Sequence, residues 1–222
     1  MEISQQSIEL IVAWEVADGD RYLARSSYEE RFARPRWLGT AATGLTIGIG
    51  YDLRHAKRWF LSDWKSRLEA HPASAGVFER LAQHLGKAGS REAVRRTRDI
   101  TIPWEDALAV FRIRRLPLFI EEAKRSFPGV NTLGPDVWGA LTSLVLHRHV
   151  GTDGHNRPKK ESIYTAIRDA VAARDVDAVA ARIRDLKTFT DELLPTAAVH
   201  LERRHEDEAR LAEGSLGSRS AA

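Results

Sequence analysis

Glu15 stands seven residues after Ile8, four after Ile11 and three after Val12 in the segment SIELIVAWEV. On a helix these spacings put its carboxyl on the same face as the apolar stripe. A carboxylic acid pressed toward a core loses solvation of its charged form and so tends to keep its proton. That is the state a general acid working near neutral pH requires. The plainer use of such a residue is structural, paired with an arginine or capping the turn at Asp18 and Gly19. A second set lies in LTIGIGYDL, residues 45–53, where Thr46, Gly48, Gly50 and Asp52 alternate. In one straight strand Thr46 and Asp52 would lie about 20 Å apart, too far to act together. Gly48 and Gly50 instead favour a tight turn centred on Ile49, from which Thr46 and Asp52 are equally distant in sequence. A hairpin centred there sets the two opposite each other with Cβ atoms about 5 Å apart. A hydroxyl beside a carboxylate cradles one water molecule, and the glycines leave the backbone open to a flat ligand. An ordinary turn whose Asp caps a local group is the alternative.

These groups need elements to hold them. Ser4 or Ser7 is an N-cap for a first helix that runs to Trp14–Val16, where Asp18, Gly19 and Asp20 break it. Residues 21–44 read as irregular, and residues 45–53 as the hairpin. From Ala56 the pattern is helical over 57–70, 75–86, 90–97, 103–126, 135–149, 161–173, 175–186 and 195–212. Pro103 suits a first helical turn, and Pro128 and Gly129 follow the end of that long helix. The residues after Glu213, GSLGSRSAA, have linker composition and read as a flexible tail over 214–222. The expected fold class is therefore α+β, predominantly α-helical, with a small N-terminal β-hairpin.

Composition narrows the function. Of 222 residues, 43% are hydrophobic and 29% charged, which excludes global disorder. With no cysteine there is neither a disulfide scaffold nor a thiol nucleophile. No run of about 18 apolar residues is present to span a bilayer, and the N-terminus lacks the basic region of a secretory signal. The 34 basic and 31 acidic residues leave a net charge of +3, which suits an anionic polymer partner without naming one.

Glu15 near the end of a first helix, followed by GLTIGIGYD, resembles the phage-type lysozymes, and most closely their pesticin-like branch. The phage enzymes place an Asp nine residues after the helical Glu, and here that position is Ala24. Pesticin-like proteins carry the acid six residues after the Thr of T-I-G-x-G, which here is Asp52. The resemblance thus implies Glu15, Thr46 and Asp52 as the catalytic set, with Asp18 and Asp20 as weaker substitutes for the second carboxylate. It extends through ITIPWEDALAVF, VWGALTSLVLHRHVG, IYTAIRDAVAARDVDAVAARI and LPTAAVHLERRHEDEARL, from about Ser4 to Leu211. Segment 57–100 is longer than in the compact phage enzymes and has no counterpart.

What the resemblance implies is a two-lobed lysozyme-like domain over 1–213, with a helix and β lobe to about residue 56 and a helical lobe over 57–213. Its activity would be hydrolysis of the β-1,4 bond between N-acetylmuramic acid and N-acetylglucosamine in peptidoglycan. Glu15 would protonate the leaving oxygen, and Asp52 with Thr46 would activate water on the opposite face, with inversion. No cofactor is implied. The partners would be peptidoglycan glycan strands and an immunity protein or delivery partner, with the chain itself a monomer bound to neither membrane nor nucleic acid. It would be made in the bacterial cytoplasm without a signal peptide and act on the wall in the periplasm, as an antibacterial effector, a bacteriocin or an endolysin domain. A lytic transglycosylase and a non-catalytic wall- or nucleic-acid-binding domain are the rival readings.

Trp37, in a loop flanked by Pro35 and arginines, is the candidate to stack on a sugar ring, with Gly48, Gly50 and Tyr51 as further substrate contacts. Trp14, Trp59, Trp64, Trp104 and Trp138 read as core. His147, His149, His155 and Asp153 have metal-ligand types, but two His at i and i+2 do not share a helix face. They read as hydrogen-bonding loop residues, with no metal expected. Lys87, Arg91, Arg95, Arg96 and Arg98 read as a solvated charged face. The resemblance would let Arg203 and Arg204 reach Glu15, but the two read as surface charge.

Overall fold

The computed structural model describes residues 2–71, 76–147, 157–188 and 195–216. It is predominantly helical with one small antiparallel sheet, as the sequence pattern predicts. The chain divides into two compact units, one formed by residues 1–21 and 118–222 and the other by residues 22–117. This division differs from a boundary near residue 56. Contacts explain the difference: the first helix packs with C-terminal helices, whereas Trp64 and Ala107, from helices within 60–110, lie against Gly48 of the hairpin.

In the first unit, α1 (Gln5–Val16) is capped by Ser4, whose hydroxyl accepts the Ser7 N–H at 3.0 Å. Leu10, Ile11, Val12, Ala13, Trp14 and Val16 are all buried. The helix ends as expected at the turn, where Asp18 (φ 50°) and Gly19 (φ 88°) adopt left-handed backbone. At Gly19 a Cβ would fall 2.6 Å from the Trp14 ring, so only glycine fits. α1 packs on α8 (Pro135–His147) and α11 (Pro195–Ala212). The approach to α8 is closest at Gly139, where any Cβ would collide with the Ser7 side chain. α8 is buried along its length from Val137 to Leu146, which makes it the central helix of this unit. α9 (Arg157–Ala173) starts four residues earlier than the periodicity predicts, and α10 (Val176–Asp185) packs between α9 and α11. Residues 148–149 of the predicted 135–149 helix lie outside the described residues.

Residues 214–216 of the expected tail belong to the turn that closes the last helix. Gly214 (φ 68°) caps α11, Ser215 N–H donates to the Arg210 carbonyl at 2.9 Å, and Leu216 is buried. The Gln6 amide holds the Leu216 carbonyl. Composition missed this because the left-handed glycine is a helix cap and one leucine suffices to anchor the turn. Residues 217–222 lie outside the description.

In the second unit, residues 24–31 form a helix, α2 (Ala24–Arg31), in the stretch read as irregular. Its sequence ARSSYEER is almost wholly polar, so the apolar period is missing. Ala24 and Tyr28 are its buried residues, and the Tyr28 hydroxyl donates to the Ile102 carbonyl at 3.0 Å. β1 (Thr46–Ile47) and β2 (Tyr51–Asp52) form the hairpin, and Arg36 bridges to Thr46 on the other side of β1. The same unit holds α3 (Phe60–Glu69), α4 (Val77–Ala82), α5 (Arg91–Arg96) and α6 (Trp104–Val110). Phe60, Trp64, Leu68, Leu81 and Ala107 supply buried apolar contacts. α4 is shorter than the predicted 75–86, stopping before the left-handed Gly86, and residues 72–75 are not described.

The predicted helix 103–126 stays helical from Trp104 to Ser126, but not uniformly. A π-helical turn over Phe111–Arg115 separates α6 from α7 (Leu116–Ser126). Pro117 lacks the N–H that the α ladder needs at that point, and a π turn re-spaces the bonds just ahead of it. The division between the two units falls beside it, between Pro117 and Leu118. Among the described residues, no helix is long and apolar enough to cross a membrane.

Candidate functional site

Glu15 lies on the last turn of α1, with its side chain 24% exposed among otherwise buried neighbours. Its Oε1 is 3.5 Å from Nη1 of Arg204 on α11. Arg204 is therefore not surface charge. Its side chain is 2% exposed, and its Nε donates to Glu208 Oε1 at 3.2 Å. Its Nη2 donates to the Ser143 carbonyl and hydroxyl at 3.3 and 3.2 Å, and Nη1 lies 3.3 Å from His147 Nδ1. The arginine pairing that is the structural use of Glu15 is present, on a side chain that is not fully buried. Trp14, beside it in sequence, is core as expected; its ring meets His200 edge-on at 5.0 Å. Asp18 and Asp20 are exposed on the turn that follows, and Asp18 lies 3.9 Å from His200 Nδ1.

Glu208 is the functional candidate that sequence reasoning missed, and Arg204, which the resemblance allowed to reach Glu15, was assigned to the surface instead. They lie four apart on α11, and Arg204, Glu208, Leu211 and Ala212 occur at helical spacing with the last two apolar. That pattern places two charges on a buried face, which was a legible signal for a buried ion pair.

The hairpin in the second unit has the register that symmetry about Ile49 predicts. Thr46 pairs with Asp52 and Ile47 with Tyr51, while Gly48 (φ 53°) and Gly50 (φ 71°) make the left-handed turn. Thr46 is 3% exposed, held on both sides: by β2, and by N–H···O bonds of 2.7 and 2.9 Å with Arg36. Asp52 is half-buried, and its carboxylate is clamped by backbone. Oδ1 accepts N–H bonds from Arg54 at 2.8 Å and Gly44 at 3.0 Å, and Oδ2 lies 3.1 Å from the same Gly44 nitrogen. The local N–H acceptor role is thus met as well as the Thr–Asp pairing.

This clamp depends on Gly44. A Cβ there would lie 2.5 Å from Asp52 Oδ1 and 2.7 Å from the Arg54 nitrogen. Gly44→Ala is expected to force the two loops apart and cost about 1–3 kcal/mol, the scale of overpacking. Thermal denaturation checks it, and an unchanged melting temperature would mean that the loops do not approach so closely.

The remaining predicted substrate contacts fall in different places. Tyr51 is buried, its hydroxyl donating to Asp63 Oδ2 at 2.9 Å, while Arg114 grips both oxygens of Asp63 at 2.9 and 2.5 Å. Burial, reinforced by Asp63, pushes the Tyr51 phenol well above its usual range, so it stays neutral. The space above Gly48 is filled by Ala107 and Trp64, and that above Gly50 by the Arg115 guanidinium, whose Nη1 donates to the Gly50 carbonyl at 2.5 Å. Close protein packing and positive φ account for both glycines. Trp37 is half-buried and lines an open hollow of about 770 Å³ with Arg36, Gly39, Ser90, Arg91 and Val94. Its indole N–H donates to the Thr40 carbonyl at 3.0 Å, which fixes the ring at the rim. Of the remaining tryptophans, Trp64 and Trp138 are core as expected, but Trp59 is 40% exposed, covered by the guanidinium groups of Arg58 and Arg114.

His149, Asp153 and His155 lie outside the described residues. Among the described residues no cluster of His, Asp and Glu has the makings of a metal site. Within the basic segment, Arg95 and Arg96 pair with Glu92. No protein-family model matches the chain, and no curated protein matches its sequence.

Proposed function

We propose that the chain is a peptidoglycan muramidase with a lysozyme-like fold. Glu15 acts as the general acid on the leaving oxygen of the β-1,4 bond, and Asp52 activates the attacking water. Thr46 shares that water, and the anomeric centre inverts. The observation that carries this reading is the cross-strand pair Thr46 and Asp52 across a double-glycine turn, downstream of a helical Glu whose side chain is partly exposed. Trp37 at the rim of its hollow provides an aromatic face for a sugar ring, beside two arginines. The activity fits a toxin, bacteriocin or endolysin domain delivered to a bacterial wall.

One observation favours a second reading. The backbone N–H groups of Gly44 and Arg54 occupy the Asp52 carboxylate, as a purely structural Asp would be occupied. A lytic transglycosylase needs the acid alone and no activated water. Digestion of purified sacculi separates the two. Mass spectrometry of the released muropeptides is expected to show reducing ends, with the α-anomer formed first in proton NMR. Anhydro-sugar ends would establish the transglycosylase, an initial β-anomer would refute inversion, and intact sacculi would refute both enzymes.

A further inference from the structure

The cluster around Glu15 holds a second carboxyl for which the proposed reaction has no use. Glu208 is fully buried on α11. Its Oε1 accepts the Ser143 hydroxyl at 2.6 Å and Arg204 Nε at 3.2 Å, whereas its Oε2 is buried with no hydrogen-bond partner. Arg204, equally inaccessible, reaches Glu208 through Nε and Glu15 through Nη1. One guanidinium thus stands between two carboxyls, and its single positive charge offsets only one negative charge. In a desolvated setting the uncompensated second charge is costly, so one of the two carboxyls does better to hold its proton.

We propose that Glu208 is a positioning residue for Glu15: the two carboxyls compete for the charge of Arg204, and ionisation of either holds the proton on the other. Glu208 thereby sets how far up the pH scale Glu15 remains a competent acid. Glu208 has the shorter contact and the Ser143 hydroxyl in its favour, and Glu15 has better access to water. Burial lifts the Glu208 carboxyl above its ordinary range, while Arg204 and the Ser143 hydroxyl oppose that lift.

Other charged and titratable groups surround this trio. His147 of α8 shares the Arg204 guanidinium. Asp207, its neighbour on α11, pushes Glu208 further up. Arg203 stands 6.0 Å from the Trp14 ring, and His200 faces Asp18 at the end of α1. His205 is buried on α11 as well.

The consequence for catalysis rests on Glu15 being the acid, but the coupling itself does not. Carboxyl-carbon NMR on the intact chain reads the coupling directly. Glu15→Gln, a change at a partly exposed site, is expected to lower the titration midpoint of Glu208 by about one pH unit, because Arg204 then serves it alone. Linkage makes the effect reciprocal. Glu208→Gln should therefore move the alkaline limb of wall lysis to lower pH by a similar amount, and Glu208→Asp should move it back toward the parent. His147→Gln should leave the Glu208 shift in place. A Glu208 midpoint unmoved by Glu15→Gln would overturn the proposal, as would a pH profile that Glu208→Gln lowers in height without displacing. A Glu208 midpoint that falls in a chain without lytic activity would sustain the coupling and refute the muramidase reading. Should Glu208→Gln fail to fold, the Glu15→Gln titration alone decides.

Discussion

Glu15→Gln is expected to reduce release of muropeptides from purified sacculi by at least about 100-fold, the usual scale for removing an acid catalyst. Glutamine keeps the length and planarity of the side chain. Its amide oxygen can still accept from Arg204 Nη1, which stands 3.5 Å from the Glu15 carboxylate. What it lacks is a proton to give to a departing glycosidic oxygen. The pairing with Arg204 also decides what happens to stability. A buried, unpaired carboxylate would make its removal stabilising, but the Glu15 side chain is 24% exposed and its carboxylate faces a guanidinium. After the substitution Arg204 still has Glu208 and Ser143, so no charge is stranded. The melting temperature should therefore change little, within about 0.5–1 kcal/mol of the parent. Full lysis by a well-folded Glu15→Gln chain would end the proposed mechanism. Lost lysis accompanied by a collapsed melting curve would show Glu15 to be a structural partner of Arg204 rather than an acid.

The hairpin was the most legible part of the chain because its information is local. Two glycines flanking Ile49 require left-handed backbone that other residues resist, and that alone fixes which residues face each other. The helices from Ala56 onward were legible for a similar reason, since an apolar period survives in most of them. α2 was not, because Ala24 and Tyr28 are its buried residues and a two-residue face carries no period. The π turn ahead of Pro117 was signalled by the proline, yet an apolar pattern of helical spacing does not distinguish α from π winding. The surroundings of Glu15 were the least legible. Position on an apolar face is common to a buried acid and to a paired one, and the deciding residue, Arg204, lies 189 positions away. Gly48 and Gly50 carry a signal that the sequence leaves open. Absence of a side chain was read as room for a ligand, and a Cβ at these positions would meet Ala107, Trp64 and Arg115. A glycine shows that something approaches closely, without showing that it is a ligand.

Asp52→Asn should abolish lysis to a similar degree, while Asp18→Asn and Asp20→Asn should leave it nearly unchanged. The reason is what each carboxylate is held by. Asp18 and Asp20 are exposed on the turn after α1, where loss of a charge alters little beyond the 3.9 Å contact of Asp18 with His200. Asp52 faces Thr46 across the hairpin, and its carboxylate is aimed by two backbone N–H groups. Asparagine can keep that aim, because its one carbonyl oxygen can take the position of Oδ1 and accept from both Gly44 and Arg54. Its amide nitrogen then replaces Oδ2, which lies 3.1 Å from the Gly44 nitrogen, and a donor facing a donor costs on the order of 1–3 kcal/mol. The fold should survive that cost, but the variant cannot remove a proton from water. The two roles of Asp52 thus separate by measurement. A loss of about 100-fold in lysis with a melting curve lowered only by that amount is expected of a base. Retained lysis with the same loss of stability would make Asp52 a loop clamp and nothing more. Thr46→Ala, which removes one contact to the water and keeps both carboxyls, should give an intermediate loss of roughly 10-fold. If Asp20→Asn were the inactive variant and Asp52→Asn an active one, the second carboxylate would belong to the turn after α1, and the hairpin would be a scaffold.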